Sequence, residues 1–393
     1  MEPLLLCSLR GHGAPVVCSS FSSIGLFSGD SKGYVYWWDV KSKRPQKKWK
    51  AHDETIVSIQ LFDNNTVLLT HGRDSSIKFW DLKASNLELS VTELPVNSLN
   101  FCNVAINSSR LLLTASTVDS DKFDIYSITS SHPLQFSRIC HQVDPWQLYQ
   151  KALKTLPIPL DDDLSKRDKF GIMMKSIWIN DQVFYIAYES GHILGFYIES
   201  DDTSQVSHTK KVGVTTTTSS SLINRGPKIN LFHISDQLCP SPILSIAYDV
   251  KRNVLVAGSS GKSVLTLDVP ESFSSLIEDS SKAISIKHAG LSHMVIIGDI
   301  TIITFWNGIT KGFVSASMDE IWKFDKILPT IDKNDETQSN RLKVTSMTFQ
   351  VATPRESQIT RSSKELIRMK RDTLDKNLLA IGYENGIISV YEV

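Results

Sequence analysis

His52, Thr70 and Asp74, followed by Trp80, bring together an imidazole, a hydroxyl and a carboxylate in one stretch. Those groups are the parts of a nucleophilic relay, in which an acid orients a base and the base activates a hydroxyl. The same order occurs upstream as His12, Ser28 and Trp38, with Lys32 where the acid is expected. The two histidines are 52 − 12 = 40 residues apart and the two tryptophans 80 − 38 = 42. Chemistry that recurs at a fixed spacing together with its flanking tryptophan reads as a repeated structural unit. A buried indole N–H needs an acceptor, and the hydroxyl and imidazole continue the chain of hydrogen bonds. The lysine in the upstream copy predicts a shorter network and a looser turn there.

The elements that must position these residues are short strands. A dipeptide of a small residue and His (Gly11-His12, Ala51-His52) is followed by an apolar run, a tight turn and an alternating strand ending in Trp-Asp (Trp38-Asp39, Trp80-Asp81). This is the layout of a WD40 repeat, the unit of one β-propeller blade. A second internal repeat is independent of it: Ile186-Ala187-Tyr188-Glu189-Ser190-Gly191 matches Ile381-Gly382-Tyr383-Glu384-Asn385-Gly386. The reading is an all-β, seven-bladed propeller forming a single domain over residues 1–393, with blades at about 11–50, 51–95, 96–135, 172–200, 240–270, 290–325 and 342–393. The apolar strand 4–9 is expected to complete the last blade, because closure removes the open edges of a linear array. Blade three is degenerate: Leu99–Cys102 is read as its first strand, and Tyr126 falls where Trp is expected. Inserts are expected at 132–170, 200–232 and 353–374. In the first, Asp144-Pro145 reads as a helix start, with Trp146, Tyr149, Leu153 and Leu156 at helical spacing and Pro157 as a stop. That stripe is expected to pack back on the junction of blades three and four.

Other chemistries find little support. There is no glycine-rich phosphate loop and no His/Cys group with metal spacing, so no cofactor or metal is expected. Asp161-Asp162-Asp163 lacks the glycine and distal Glu of a calcium loop. The 42 basic and 42 acidic residues cancel, which gives no argument for direct nucleic-acid or membrane binding. No apolar run has transmembrane length, and Glu2 stands where a secretion signal needs a base. The five scattered cysteines suit reduced thiols in a cytosolic or nuclear protein. The basic stretch Lys41–Lys50 reads first as an exposed outer strand, whose lysines discourage edge pairing, with a nuclear-import signal as the alternative. The second basic group, Arg355 to Arg371, reads first as a solvated loop or short helix.

Several segments carry a narrower resemblance: Phe27-Ser28-Gly29 with Trp38, the Leu69–Asp74 turn, the Ala187–Gly191 turn, Thr304-Phe305-Trp306-Asn307 and the Ile381–Gly386 turn. In these the chain resembles the fungal ASTRA-associated WD-repeat proteins, which are similar to guanine nucleotide-binding protein beta-subunit-like proteins. The resemblance implies a non-enzymatic scaffold subunit, in the nucleus and also the cytoplasm, of an assembly with the TTT co-chaperone and RuvB-like ATPases. That assembly is expected to mature phosphatidylinositol-3-kinase-related proteins and to be linked to chromatin remodelling. The rival expectation is a G-protein-beta-like signalling adaptor, or a propeller that reads peptides at its central channel. Loops on a rigid scaffold carry recognition, so Arg73, Tyr188, Glu189, Trp306, Tyr383 and Glu384 are expected to face one partner-binding rim. His12, Ser28, Trp38, His52, Thr70, Asp74 and Trp80 are assigned to structure, and no catalytic residue is assigned.

Overall fold

The computed structural model describes residues 2–99, 101–129, 134–154, 169–199, 227–273, 276–278, 283–286, 290–326, 341–352 and 376–393. Seven sheets follow one another around a ring. Blade one is Val16–Ser22, Gly25–Asp30, Tyr34–Asp39 and Arg44–Lys50, running from the innermost to the outermost strand. Blade two is Ile56–Phe62, Val67–Gly72, Ser76–Asp81 and Thr92–Pro95. The last blade is Val344–Gln350, Leu378–Tyr383 and Ile387–Glu392, and Leu4–Arg10 pairs antiparallel with Ile387–Glu392 as its fourth strand. The ring is thus closed by the N-terminal strand, and the innermost strands of blades one and seven pack side by side.

The core lies between blades rather than within one. The second strand of a blade is buried on both faces because each blade is packed between two others. Phe27, Val35 and Trp49 of blade one pack with Ile56, Leu68 and Trp80 of blade two. Tyr36 and Trp38 of blade one pack with Leu378, Ala380 and Ile388 of blade seven. Strands buried this way read as near-continuous apolar runs such as Val183–Tyr188, in which every residue is buried.

The outer strands depart most from the sequence reading. The fourth strand of blade three is Phe136–Val143, inside the expected first insert. The fourth strand of blade four is Lys228–Ser235, which begins inside the expected second insert. Blade five takes Ile284–Ser285 as its fourth strand, beyond the expected end of that blade. Phe136–Val143 and Ile284–Ser285 stand largely open to solvent, so their apolar pattern is weak, whereas Lys228–Ser235 is mostly buried, with Ile277–Glu278 pairing outside it as a fifth strand. Leu99–Cys102 is not the first strand of blade three; that strand is Ala105–Ile106, and Leu99 and Phe101 stand exposed on the linker before it. Tyr126 pairs opposite Leu112 just as Trp80 pairs opposite Leu68, so it does stand in the tryptophan's place.

One helix, Pro145–Leu153, follows blade three. The Asp144 carboxylate accepts from the N–H groups of Trp146 and Gln147, which caps the first turn. Trp146, Tyr149 and Phe170 form an aromatic cluster with ring centroids 5.1–5.6 Å apart. That cluster joins core residues of blades three and four, including Phe123 and Phe184. Leu156, Pro157, Asp161–Asp163 and the basic group Arg355–Arg371 lie outside the described residues.

Candidate functional site: blade networks, turn face and central channel

In blade two the Trp80 indole N–H donates to Thr70 Oγ1 at 2.9 Å, and Thr70 Oγ1 lies 2.8 Å from His52 Nε2. His52 Nδ1 lies 2.9 Å from Asp74 Oδ1. One assignment satisfies every atom: the hydroxyl accepts from tryptophan and donates to Nε2, and the Nδ1 proton is held by the carboxylate. Asp74 also accepts from Ser76 Oγ and the Asp53 N–H. Burial opposes its ionisation, but the hydrogen bond from His52, with those from Ser76 and Asp53, outweighs it and holds the Asp74 carboxyl well below the usual range.

Blade one repeats the chain with one change. Trp38 Nε1 donates to Ser28 Oγ at 2.7 Å, and His12 Nε2 lies 2.7 Å from the same oxygen. The carboxylate comes from Asp30, whose Oδ2 is 2.9 Å from His12 Nδ1. Its other oxygen accepts from the Lys32 and Tyr34 N–H groups, at 2.9 and 3.0 Å. The expected shorter network is therefore not what forms. Asp30, two residues before Lys32, ends the strand and turns its side chain inward, so the chain of bonds is complete. Burial pushes the His12 imidazolium toward its neutral form, which suits a ring that donates from one nitrogen and accepts at the other.

Ser28, His12 and Asp30 have the spacing of a Ser-His-Asp relay. Ser28 and Thr70 are each 0 % exposed, and each oxygen already accepts an indole N–H. A carbonyl carbon must reach about 3 Å from such an oxygen to react, and the packed tryptophan occupies that approach. These groups hold the linkers Gly11–Pro15 and Ala51–Thr55 to their blades.

The turns between second and third strands all emerge on one face of a propeller. Arg73, Glu189 and Trp306 sit exposed on such turns, and Glu384 is half-buried on another, with Oε1 accepting from the Lys343 N–H at 3.2 Å. Trp306 is 61 % exposed although its indole N–H is satisfied by the Leu291 carbonyl. Tyr188 and Tyr383 are not on this surface. Each is the last residue of its strand and is buried at 0–1 % exposure. They occupy the position that Asp30 takes in blade one, as the pairings Met173–Tyr188, Val344–Tyr383 and Val16–Asp30 show. The ring that looks like a turn residue in sequence thus fills the space of a polar network.

The sequence reading missed a neighbour of Arg73. The Arg73 guanidinium lies over the Phe101 ring, 4.5 Å from its centroid. Leu99 on the same linker and Val118 on the next turn are 72 % and 65 % exposed, and Asn97 Nδ2 bonds the Val118 carbonyl. No local pattern marks such a group, since exposed apolar linker residues look like a strand.

The basic stretch forms the outermost strand of blade one. Trp49 is buried, while Lys48 Nζ lies 4.7 and 5.0 Å from the Tyr34 and Tyr36 ring centroids. At the axis, the innermost strands enclose a channel cavity of about 450 Å³ lined by Ser58, Asn103, Lys175, Ser245 and His293 among others. Among the described residues no three His, Cys, Asp or Glu side chains gather to hold a metal.

The architecture matches a solved structure, that of Saccharomyces cerevisiae Sqt1, with a TM-score of 0.59 over the whole of both chains at 11 % identity, which speaks to the fold alone. Among curated proteins, ASTRA-associated protein 1 of Debaryomyces hansenii is 34 % identical, and that of Meyerozyma guilliermondii 32 %, each aligned over all of both chains. A family model described as ASTRA-associated protein 1 matches residues 6–391. With its blade networks, closed seven-bladed ring and end-to-end match to these relatives, the chain belongs to the ASTRA-associated protein 1 family.

Proposed function

We propose that this chain is a non-enzymatic scaffold subunit of an ASTRA-type nuclear assembly, and that its turn face docks protein partners. Its relatives' name supports the association with ASTRA. The observation that carries the docking reading is the contrast between the two kinds of site. The hydroxyl–imidazole–carboxylate groups are buried in the blades, whereas Arg73, Phe101, Leu99, Val118 and Trp306 stand exposed on the rigid turn face. Arg, Trp and Phe on a scaffold that need not reorganise are the residue types that anchor protein interfaces. By family resemblance the partners are the TTT co-chaperone, RuvB-like ATPases and phosphatidylinositol-3-kinase-related proteins. Nuclear residence belongs to the same proposal.

Affinity purification of the full chain from native extract, with cross-linking mass spectrometry, tests this. Stable co-purifying subunits cross-linked to the turn face support the reading. Recovery of the chain alone, or cross-links confined to the opposite face, sinks it.

A further inference from the structure

The innermost strands share a feature that brings six side chains to equivalent positions. In each of six blades the pairing of the innermost strand slips by one residue at the same place. The slip falls between Val16 and Cys18, Ile56 and Ser58, Met173 and Lys175, Ile243 and Ser245, Leu291 and His293, and Val344 and Ser346. A repeated bulge re-aims the residue that follows it. The six equivalent residues are therefore Cys18, Ser58, Lys175, Ser245, His293 and Ser346, five of them polar or basic and none acidic.

Lys175 is the exception in charge. It lines the channel cavity, and no Asp or Glu lines that cavity with it. Among the described residues its ammonium forms no hydrogen bond or ion pair; burial pushes it below its ordinary value, and the groups that oppose this are the Cys102 and Cys18 thiols. Burial pushes both thiols up, Cys102 to about 11, so neither supplies an anion at neutral pH. The Lys175 charge also depresses His293 two blades away, where burial with that charge brings the imidazole down to about 3. Lys175 of blade four and His293 of blade six line this one cavity, which places both near the propeller axis. His293 is neutral there and adds no second cation. Ser58 Oγ lines the same cavity, buried and without a hydrogen-bond partner. An ammonium without an acidic partner, in a cavity lined by both polar and apolar side chains, is a site short of one anion.

We propose that the central channel binds an oxyanion, a carboxylate or phosphate group, through Lys175. The ligand enters along the axis and replaces water around the ammonium. The oxyanion comes either from a small solute or from an acidic segment of a bound protein. The turn-face reading is not needed for this site.

Isothermal titration of the full chain with inorganic phosphate and, separately, with a hexaglutamate peptide tests it. Wild type is expected to bind at least one of them, and Lys175→Met and Lys175→Gln are expected to bind it at least tenfold more weakly. Loss of an unpaired charge from the channel leaves both variants folded, which a thermal melt checks. Phosphate binding alone identifies a small oxyanion, and peptide binding identifies an acidic protein segment. If neither probe binds wild type, or if both neutral variants bind as tightly as wild type, the proposal is overturned. Because these probes involve no cellular partner, a negative result here leaves the purification test untouched, and the reverse holds as well.

Discussion

Asp30 and Gly72 occupy the same position in successive blades, and each explains the other. Asp30 pairs with Val16 and Gly72 with Ile56 at the last step before the slip. In blade one the Asp30 side chain reaches the histidine directly. In blade two a Cβ on Gly72 would come within 2.3 Å of His52 Nδ1. The space is left empty so that Asp74 can reach in from the turn. The two blades thus build one network from two chain positions. Gly72→Ala is expected to displace His52 and destabilise the fold by about 1–3 kcal/mol, as overpacking in a rigid core does. Asp30→Ala is expected to cost about 2–4 kcal/mol, since it leaves a buried imidazole N–H unpaired. Lys32→Asp, which aligns an acid with Asp74, is expected to stay within about 0.5 kcal/mol of wild type because Asp30 already fills the role. Urea unfolding midpoints of the three variants check this, and a stabilising Lys32→Asp would contradict it.

The turn that carries Asp74 has a correctable weakness. Gly33, Gly308 and Gly386 precede their third strands with φ of 80–81°, and the matching residue of blade two is Ser75, with φ of 66°. A left-handed residue other than glycine is strained, by about 1 kcal/mol. Ser75→Gly is expected to raise stability by up to about 1 kcal/mol. Gly33→Ala is expected to do the opposite, since its Cβ would lie 1.9 Å from the His52 carbonyl oxygen. Thermal melts of both variants test the pair, and a destabilised Ser75→Gly would refute the strain argument.

Acid sensitivity should begin near neutrality. Burial is the first cause that lowers His71 to about 4 and His293 to about 3 from 6.5, with the like charges of His52 and Lys175 adding to it. Above pH 6.5 both residues are neutral in either state and stability does not depend on them. As the pH falls below that, the unfolded chain takes up protons that the native chain refuses, so stability drops toward pH 4, by up to about 1.4 kcal/mol per pH unit for each histidine. Asp30 and Asp74, held low in the fold, contribute stability above the ordinary carboxylate range and lose it only at lower pH. Urea midpoints measured from pH 7.5 to 4.5 should fall, and His71→Gln should flatten the slope. A flat wild-type profile would count against the buried neutral histidines.

The turn face should separate binding from stability. Arg73→Glu removes the guanidinium from Phe101, and Trp306→Ala removes a ring that is 61 % exposed. Exposed substitutions change stability by about 0.5 kcal/mol or less, whereas truncating an interface anchor costs about 2 kcal/mol or more of binding. The expected outcome is unchanged melting with at least tenfold lower recovery of partner subunits. Equal recovery would remove these residues from the interface.

The blade architecture was legible in the residues because it is written in local order. His52 to Asp81 carries a full set of network residues within one hairpin and its preceding linker, and each inner strand is an apolar run between turns. The helix start was legible for the same reason: Asp144 and Pro145 are adjacent, and the cap needs only the next two N–H groups. Outer strands such as Phe136–Val143 were not, because half their surface meets water.

By itself the sequence determined the fold class, the ring closure between Leu4–Arg10 and Ile387–Glu392, and the polar network of blade two, all of which rest on short-range patterning and on turn chemistry. Only the tertiary structure decided which groups share a space. It substituted Asp30 for the missing acid, buried Tyr188 and Tyr383 in the equivalent position, and joined Arg73 to Phe101 across two linkers. It also gathered Lys175, His293 and Ser58, from three blades, around one axis. Those relations depend on how seven sheets are turned about a common centre, and no local periodicity encodes that rotation.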